Sequence, residues 1–327
     1  MRQFHRLAGV TLASVTLVAG AALAVATPAT AAGFPEKDVT FIIPYGPGGG
    51  FDTYVRKIAP VMQRYLPNKV NVIAKNIDGA GGNKAAAQLF RGKPDGYQIA
   101  IFNMPGMLLD KILGKKTSFD VDKFEWLGRI AQSKYVLAVG AKGPNQSIQD
   151  LMKAKGTLKY AITSPASTSY VAGKIMGDIL GMKIDFLPGY KSSAKISLSV
   201  VRGDTQLSLF NVRSLAKWMK SGELKPVLSF EKKSPFKGVP TAADIGKPEL
   251  EQLTIDRVVG TTPGVPADVQ KILSDALFAA LNDKDIQDWH KKTRQPIDPL
   301  SGAETKKMLE ESKVFYSKYK DVLKFTK

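Results

Sequence analysis

The chain has 327 residues, enough for two ordinary domains, and its 44% hydrophobic and 23% charged residues are a globular balance, not a disordered one. It contains no cysteine, which excludes disulfides, thiolate catalysis and cysteine–zinc sites. The formal charge is +18, but the lysines are scattered with acids between them ("KKTSFDVDK", "EKKSPFK", "HKKTR"), and no basic tract is interleaved with aromatics. That pattern argues for a solvated surface and against a nucleic-acid partner, although a positive field helps attract small anions.

The N-terminus has the layout of a secretory signal peptide: the basic "MRQFHR", the apolar "LAGVTLASVTLVAGAALAVA" and the small-residue "TPATAA". An N-terminal membrane anchor is the alternative, because the apolar run is nearly long enough to span. The A-x-A pattern and the polar "GFPEKD" that follows favour cleavage near Ala31 or Ala32. Residues 1–32 are therefore expected to be removed, leaving a periplasmic protein of charge near +16 once Arg2 and Arg6 are gone.

In chain order, "DVTFIIPY" predicts a buried strand, followed by the glycine loop "GPGGGF" and the helix "DTYVRKIAPVMQRYL". The strand "KVNVIAK", a second glycine loop "DGAGGNK" and the helix "NKAAAQLFR" repeat the arrangement, and "DGYQIAIFN" is a third strand. "FEWLGRIAQSKYVLAVGAK" then carries an extended segment into a second series of alternating helices and strands, from "SIQDLMKAKG" to "LKPVLSF". "LTIDRVVGTTPG" is a second extended stretch, and only helices are expected after it. Short β-rich runs alternating with helices predict βαβ units, hence an α/β fold of two lobes, each a mostly parallel sheet flanked by helices. Two crossings, near Tyr135–Gly140 and Ile255–Gly260, would join lobe 1 (33–135 plus 256–327) to lobe 2 (136–255).

Why would one chain place a glycine-rich loop between strand and helix twice? Ligands of open α/β sheets bind beyond the carboxyl ends of the strands. A helix N-terminus offers unpaired N–H groups and the positive end of a dipole, and glycine lets backbone approach a ligand closely. The pair could hold one small anion; the alternative is a pair of tight turns with no ligand. Neither loop completes G-x-G-x-x-G or carries G-K-[ST], so a nucleotide or other phosphate cofactor is not expected, and no cofactor is assigned.

"PYGPGGGFDTYVR" resembles the PF-x-PGG-x-x-D-x-x-AR signature of the tripartite tricarboxylate transporter substrate-binding proteins, the Bug receptors. "NIDGAGGNKAAAQL" resembles that family's N-x-PGAGG-x-x-GA segment, and "KPDGYQIAIFN" its PDGYTLL strand. "LPGYKSSAKISLSVVRGD", "SGELKPVLSFEKKSPFKGVPTAADIG" and "GTTPGVPADVQKILSDALFAALND" resemble later segments, in order, over essentially the whole mature chain. The resemblance implies an exported two-lobed receptor that closes by a hinge on a small carboxylate and delivers it to a membrane permease with large and small subunits.

In such proteins a ligand carboxyl group lies between the two glycine loops, partly through ordered water. By that resemblance Tyr45, Gly48 and Gly49 would serve in the first loop, and Ala80, Gly81 and Gly82 in the second. Ser164, Ser167 and Thr168 of "TSPASTSY" would hydrogen-bond the ligand from the other lobe, or simply cap a helix. Asp52 matches a family aspartate. Since an anion site rarely wants a carboxylate, it would tie the loop down, or else meet an amino group on the ligand. Asn103, Phe210 and Asn211 end strands facing the cleft and would read the far end of the ligand, with core packing the alternative for Phe210. Lys84 reaches the ligand or is solvated.

The sequence also departs from the family pattern. Ile77–Asp78 stand where the family has a residue followed by proline, Tyr170 where many members have histidine, and Arg257 in place of a tryptophan–glycine crossing. These departures leave open whether the ligand is a di- or tricarboxylate, an amino acid or an aromatic acid. An enzyme is not expected: His290 lies in a late amphipathic helix, and no G-x-S-x-G or HExxH occurs. The reading is a monomeric carboxylate receptor without metal or nucleic acid. The alternatives are a carboxylate sensor without transport, a polyanion binder or an enzyme.

Overall fold

The computed structural model describes residues 33–324. The expected signal peptide and cleavage site, residues 1–32, lie outside these residues. None of the described helices is long and apolar enough to cross a membrane.

Two sheets organise the chain. The first contains β1 (Val39–Ile43), β2 (Val72–Asn76), β3 (Gln98–Met104), β4 (Glu125–Lys134), β10 (Thr254–Thr261) and β11 (Leu300–Ser301), in the order β11-β4-β10-β3-β1-β2. The second contains β5 (Val136–Gly140), β6 (Leu158–Ala161), β7 (Ile184–Leu187), β8 (Leu207–Phe210) and β9 (Leu224–Ser229), in the order β7-β6-β8-β5-β9. The chain passes from the first sheet to the second at Tyr135, between β4 and β5, and is back in the first at β10. The α/β two-lobed fold is the expected one.

Both sheets are mixed. The strands of the βαβ units, β1 with β2 and β3, and β6 with β7 and β8, pair in parallel. Every antiparallel pairing involves one of the connecting strands β4, β5 or β10. β5 and β10 each enter their sheet from the other lobe and run against its βαβ strands, whereas β4, reached from β3 through the short helix Leu109–Ile112, runs with β3 and is antiparallel only to β10 and β11. The two-residue β11, which pairs with β4, interrupts the closing helices; it is too short to leave a period in the sequence.

Helices α1 (Gly50–Met62), α2 (Asn83–Phe90) and the short α3 (Leu109–Ile112) follow β1, β2 and β3. In the second lobe α4 (Ile148–Met152), α5 (Thr168–Ile179), α6 (Ser193–Arg202) and α7 (Val212–Lys220) alternate with the strands. Of the closing helices α8 (Ala267–Asn282), α9 (Lys284–Thr293) and α10 (Gly302–Ser317), α8 and α10 pack back on β4. The apolar runs of β1 and β3 are nearly continuous because helices cover both faces, as parallel strands in α/β proteins require.

The crossing strands also carry a buried ion pair. Arg129 of β4 donates to Asp256 of β10 at 3.1 Å, and Gln132 and Thr254 donate to the same carboxylate at 3.0 and 2.6 Å. Arg129 reaches Asp298 as well, at 2.5 Å, but that carboxylate is 55% exposed. Asp256→Ala is expected to cost about 3 kcal/mol or more, because it strips a buried guanidinium of its buried partner. Asp298→Ala should cost about 1 kcal/mol or less. Urea denaturation of the two variants at neutral pH checks the contrast.

Candidate functional site

The cleft between the two sheets is floored by the ends of β3 and β10 and walled by helix N-termini from both lobes. The first loop leaves β1 at Ile43 and enters α1 at Gly50, with Gly49 as the extended N-cap and no side chain capping it. Gly48 takes φ +80°, a conformation that favours glycine. Among the described residues nothing accepts a hydrogen bond from the N–H groups of Gly49, Gly50 or Phe51, and all three residues line the cleft.

Asp52 lies beneath this loop and does not line the cleft. Its carboxylate accepts from the Gly48 N–H at 3.1 Å, Arg56 Nε at 2.9 Å and Asn76 Nδ2 at 2.9 Å. Asn76 also donates to the Tyr45 carbonyl at 2.9 Å, so the end of β2 and the first loop are tied together. Burial alone would raise the carboxyl pKa of Asp52, but the donors Asn76, Gly48 and Arg56 together hold it below the ordinary value.

The second loop runs through four successive positive φ values, Gly79 to Gly82, and there touches the opposite lobe. A Cβ on Gly81 would lie 2.2 Å from Ser164 Oγ. Gly81 and Gly82 are buried, whereas Ala80 and Lys84 are exposed, and none of the four lines the cleft. The loop reaches the cleft through Tyr45, whose hydroxyl donates to the Gly81 carbonyl at 3.1 Å and accepts from Asn103 Nδ2 at 2.9 Å. Burial pushes the Tyr45 phenol up to about 12, with the Asn103 bond opposing, so it stays protonated.

From the second lobe, Ser167 caps α5, accepting from the Tyr170 N–H at 3.2 Å, and Ser192 caps α6, accepting from the Lys195 N–H at 3.4 Å. Asn211 caps α7 through Ser214 N–H at 2.8 Å and donates to Ser133 Oγ on β4 at 3.3 Å; Asn211 itself is not in the cleft lining. Ser164 Oγ accepts from Ala166 N–H at 3.1 Å, also outside the lining. Thr168 joins the lobes, since its hydroxyl accepts from the Gly106 N–H at 2.9 Å and donates to the Asn103 carbonyl at 3.2 Å.

Four helix starts therefore converge: Gly49–Phe51 of α1, Ser167–Ser169 of α5, Ser192–Ser193 of α6 and Ser214 of α7. Tyr135, Thr163, Phe210, Ile255 and Arg257 complete the wall around about 550 Å³ of empty space, mouth included. Three buried polar atoms of this lining have no hydrogen-bond partner: Asn103 Oδ1, Thr163 Oγ1 and Arg257 Nε. Burial holds the Arg257 pKa below the ordinary guanidinium value, opposed by Tyr54, Asp256 and Tyr135.

Of the residues named from sequence, Tyr45, Gly49, Asn103, Ser167, Thr168 and Phe210 meet in this lining. Gly48, Asp52, Ala80, Gly81, Gly82, Ser164 and Asn211 stand behind it or at the lobe contact. Sequence reasoning met Tyr135 and Arg257 only as residues of the crossings, and passed over Ser192, Ser193 and Ser214. Ser192 carried a legible signal, a small hydroxyl residue just ahead of an amphipathic helix.

Asp52→Ala is expected to cost about 1–3 kcal/mol, the loss of a buried acceptor shared by three donors. Because the folded carboxyl is held low, its contribution is complete above the unfolded value of about 3.9 and is lost as pH falls through the folded value. The melting-temperature gap between wild type and variant should hold from neutral pH to about pH 5 and close below about pH 4.

A protein of Cupriavidus necator, named for the region upstream of gbd and assigned to the group UPF0065, is 28% identical over 291 residues, 86% of each chain. The periplasmic binding protein BugD superposes with a TM-score of 0.81 at 21% identity, over 88% of this chain and 98% of that one. An R. palustris protein solved with adipate gives 0.79 at 22% identity, over 89% and 98%. These structural likenesses show the fold. The profile described as tripartite tricarboxylate transporter family receptor matches residues 54–313, and the chain belongs to that family.

Proposed function

We propose that the protein is an exported, periplasmic, monomeric receptor that captures a small carboxylate in the cleft, closes on it by a hinge and presents it to a permease of the tripartite tricarboxylate transporter type. The observation that carries this reading is the convergence of four helix N-termini on a cleft lined by no acidic residue among those described. Helix starts and backbone N–H groups favour an anion without needing a charged side chain for each contact. The R. palustris protein of the same fold was solved with adipate, a small carboxylate.

The family is one of receptors, and no observation favours turnover. His290 sits on α9, outside the cleft. The hydroxyls of Ser167 and Thr168 support the hinge reading: Ser167 caps α5 while Thr168 bridges to β3, so lobe contact and ligand contact share one helix start. The second glycine loop supports closure in another way, by allowing Ser164 and Ala166 to approach its backbone.

A thermal-shift panel of mono-, di- and tricarboxylates tests the reading. A ligand at about 100 times its Kd should add about 2.7 kcal/mol, seen as a rise of a few degrees. A cooperatively melting protein that responds to no carboxylate, and retains none by native mass spectrometry, would overturn it.

Closure has its own probe. A Cβ on Gly106, whose φ is not in the left-handed region, would lie 2.4 Å from the Thr168 nitrogen and 2.8 Å from the Ser167 carbonyl carbon. Gly106→Ala should therefore leave each lobe intact and wedge the lobes apart. The expected result is a larger radius of gyration in small-angle scattering with ligand present, and weaker binding without a matching loss of melting temperature.

A further inference from the structure

We propose that Arg257 is a specificity residue that selects ligands carrying two anionic groups, by binding the second one on the floor of the cleft. This inference rests on the carboxylate reading above and narrows it.

Arg257 is 2% exposed, and it is the only charged residue among the described residues lining the cleft. Its position follows from strand geometry. On β10 it stands opposite Asn103 of β3 and Ala131 of β4, and adjacent residues of a strand point to opposite faces. Asp256 therefore faces away, where Arg129, Gln132 and Thr254 occupy its carboxylate. No carboxylate lies within ion-pair distance of the Arg257 guanidinium among the described residues.

A buried cation without an anion is expensive, because desolvation costs several kcal/mol and little returns it. The guanidinium makes one hydrogen bond, from Nη1 to Ser133 Oγ at 2.9 Å, and its buried Nε has no acceptor. It is nevertheless held in place. Its centre lies 4.7 Å from the Tyr54 ring centroid and 5.1 Å from that of Phe51, and Tyr54 is fixed by an edge contact to Trp289 and a 2.6 Å bond to the Pro296 carbonyl. Nη2 lies beside Gly50 at the start of α1, 3.8 Å from where a Cβ on Gly50 would be. A planar fork of donors, pre-oriented and with Ser133 Oγ as its one acceptor among the described residues, has donors left for a carboxylate.

Charge counting then separates the ligand classes. Four helix starts supply dipole ends, and the arginine supplies a full charge. A monocarboxylate would satisfy one and leave the other buried. An α-amino acid would bring an ammonium into a lining with no acid to receive it. A dicarboxylate satisfies both and carries nothing the lining cannot pair.

The test is isothermal titration of wild type, Arg257→Gln and Arg257→Lys with chain-matched pairs: succinate and butyrate, glutarate and pentanoate, adipate and hexanoate, with aspartate and glutamate as aminated partners. Wild type should bind at least one dicarboxylate about 100-fold more tightly than its monocarboxylate match, and more tightly than the aminated analogue. Arg257→Gln should bring that ratio within about fivefold, and Arg257→Lys should keep part of it. If Arg257→Gln weakens both classes alike, or keeps the wild-type ratio, the residue only packs the cleft and the inference is overturned. The wild-type ratio needs no variant, and a preference for monocarboxylates or amino acids also overturns it. If wild type binds no carboxylate of any charge, the receptor reading itself fails.

Discussion

The first residues of an α-helix carry N–H groups with no partner inside the helix, and something outside must satisfy them. This chain points four such starts at one place. The arrangement depends on βα connectivity, which puts every helix start at the carboxyl end of a strand, and on two lobes facing each other across the crossing strands. Elsewhere hydroxyl and amide side chains cap these starts, as Ser167, Ser192 and Asn211 do for α5, α6 and α7. At α1 glycine stands in the capping position and no side chain covers the N–H groups. Of the four starts at the cleft, α1 alone is left without a side-chain cap.

The acidic residues nearby are all arranged to keep that gap positive. Asp52 is buried behind the first loop with three donors, and Asp256 is turned to the far face of β10 with three of its own. Both stabilise the scaffold without lending negative charge to the lining. The same alternation that sends Asp256 outward sends Arg257 inward, so the neighbouring pair Asp256–Arg257 divides between brace and cleft.

Much of this was legible in the sequence, and what was not has identifiable reasons. Local signals carried the βαβ order and the two glycine loops, because strand periodicity, glycine and helix starts act within a few residues; that both loops would line one cleft did not follow, since the second loop stands at the lobe contact instead. The bonds of Asp52 to Gly48 and Arg56 span only four residues each, and the loop-tying role weighed for it is the one its geometry shows. What failed to appear was long-range. That Tyr45 would carry the second loop to the cleft depends on Gly81, 36 residues away, and that Gly81 would meet Ser164 depends on how two lobes close. Arg257 was visible only as a departure from a pattern. Its meaning depends on the register of β10 with β3 and on the rings of α1 beneath it, neither of which is written near residue 257.

A lining with one sign of charge also bears on kinetics. Field lines from the helix starts and the guanidinium run out through the mouth of the cleft without a buried acid to terminate them, on a protein already strongly positive. On the proposed receptor reading, such a field draws an anion inward from beyond contact range and makes capture sensitive to ionic strength. Escape, on the same reading, requires the lobes to part, breaking the Gly106–Thr168 and Gly46–Lys191 hydrogen bonds between them. That reading gives loading and unloading to different parts of the molecule, with salt acting chiefly on the first.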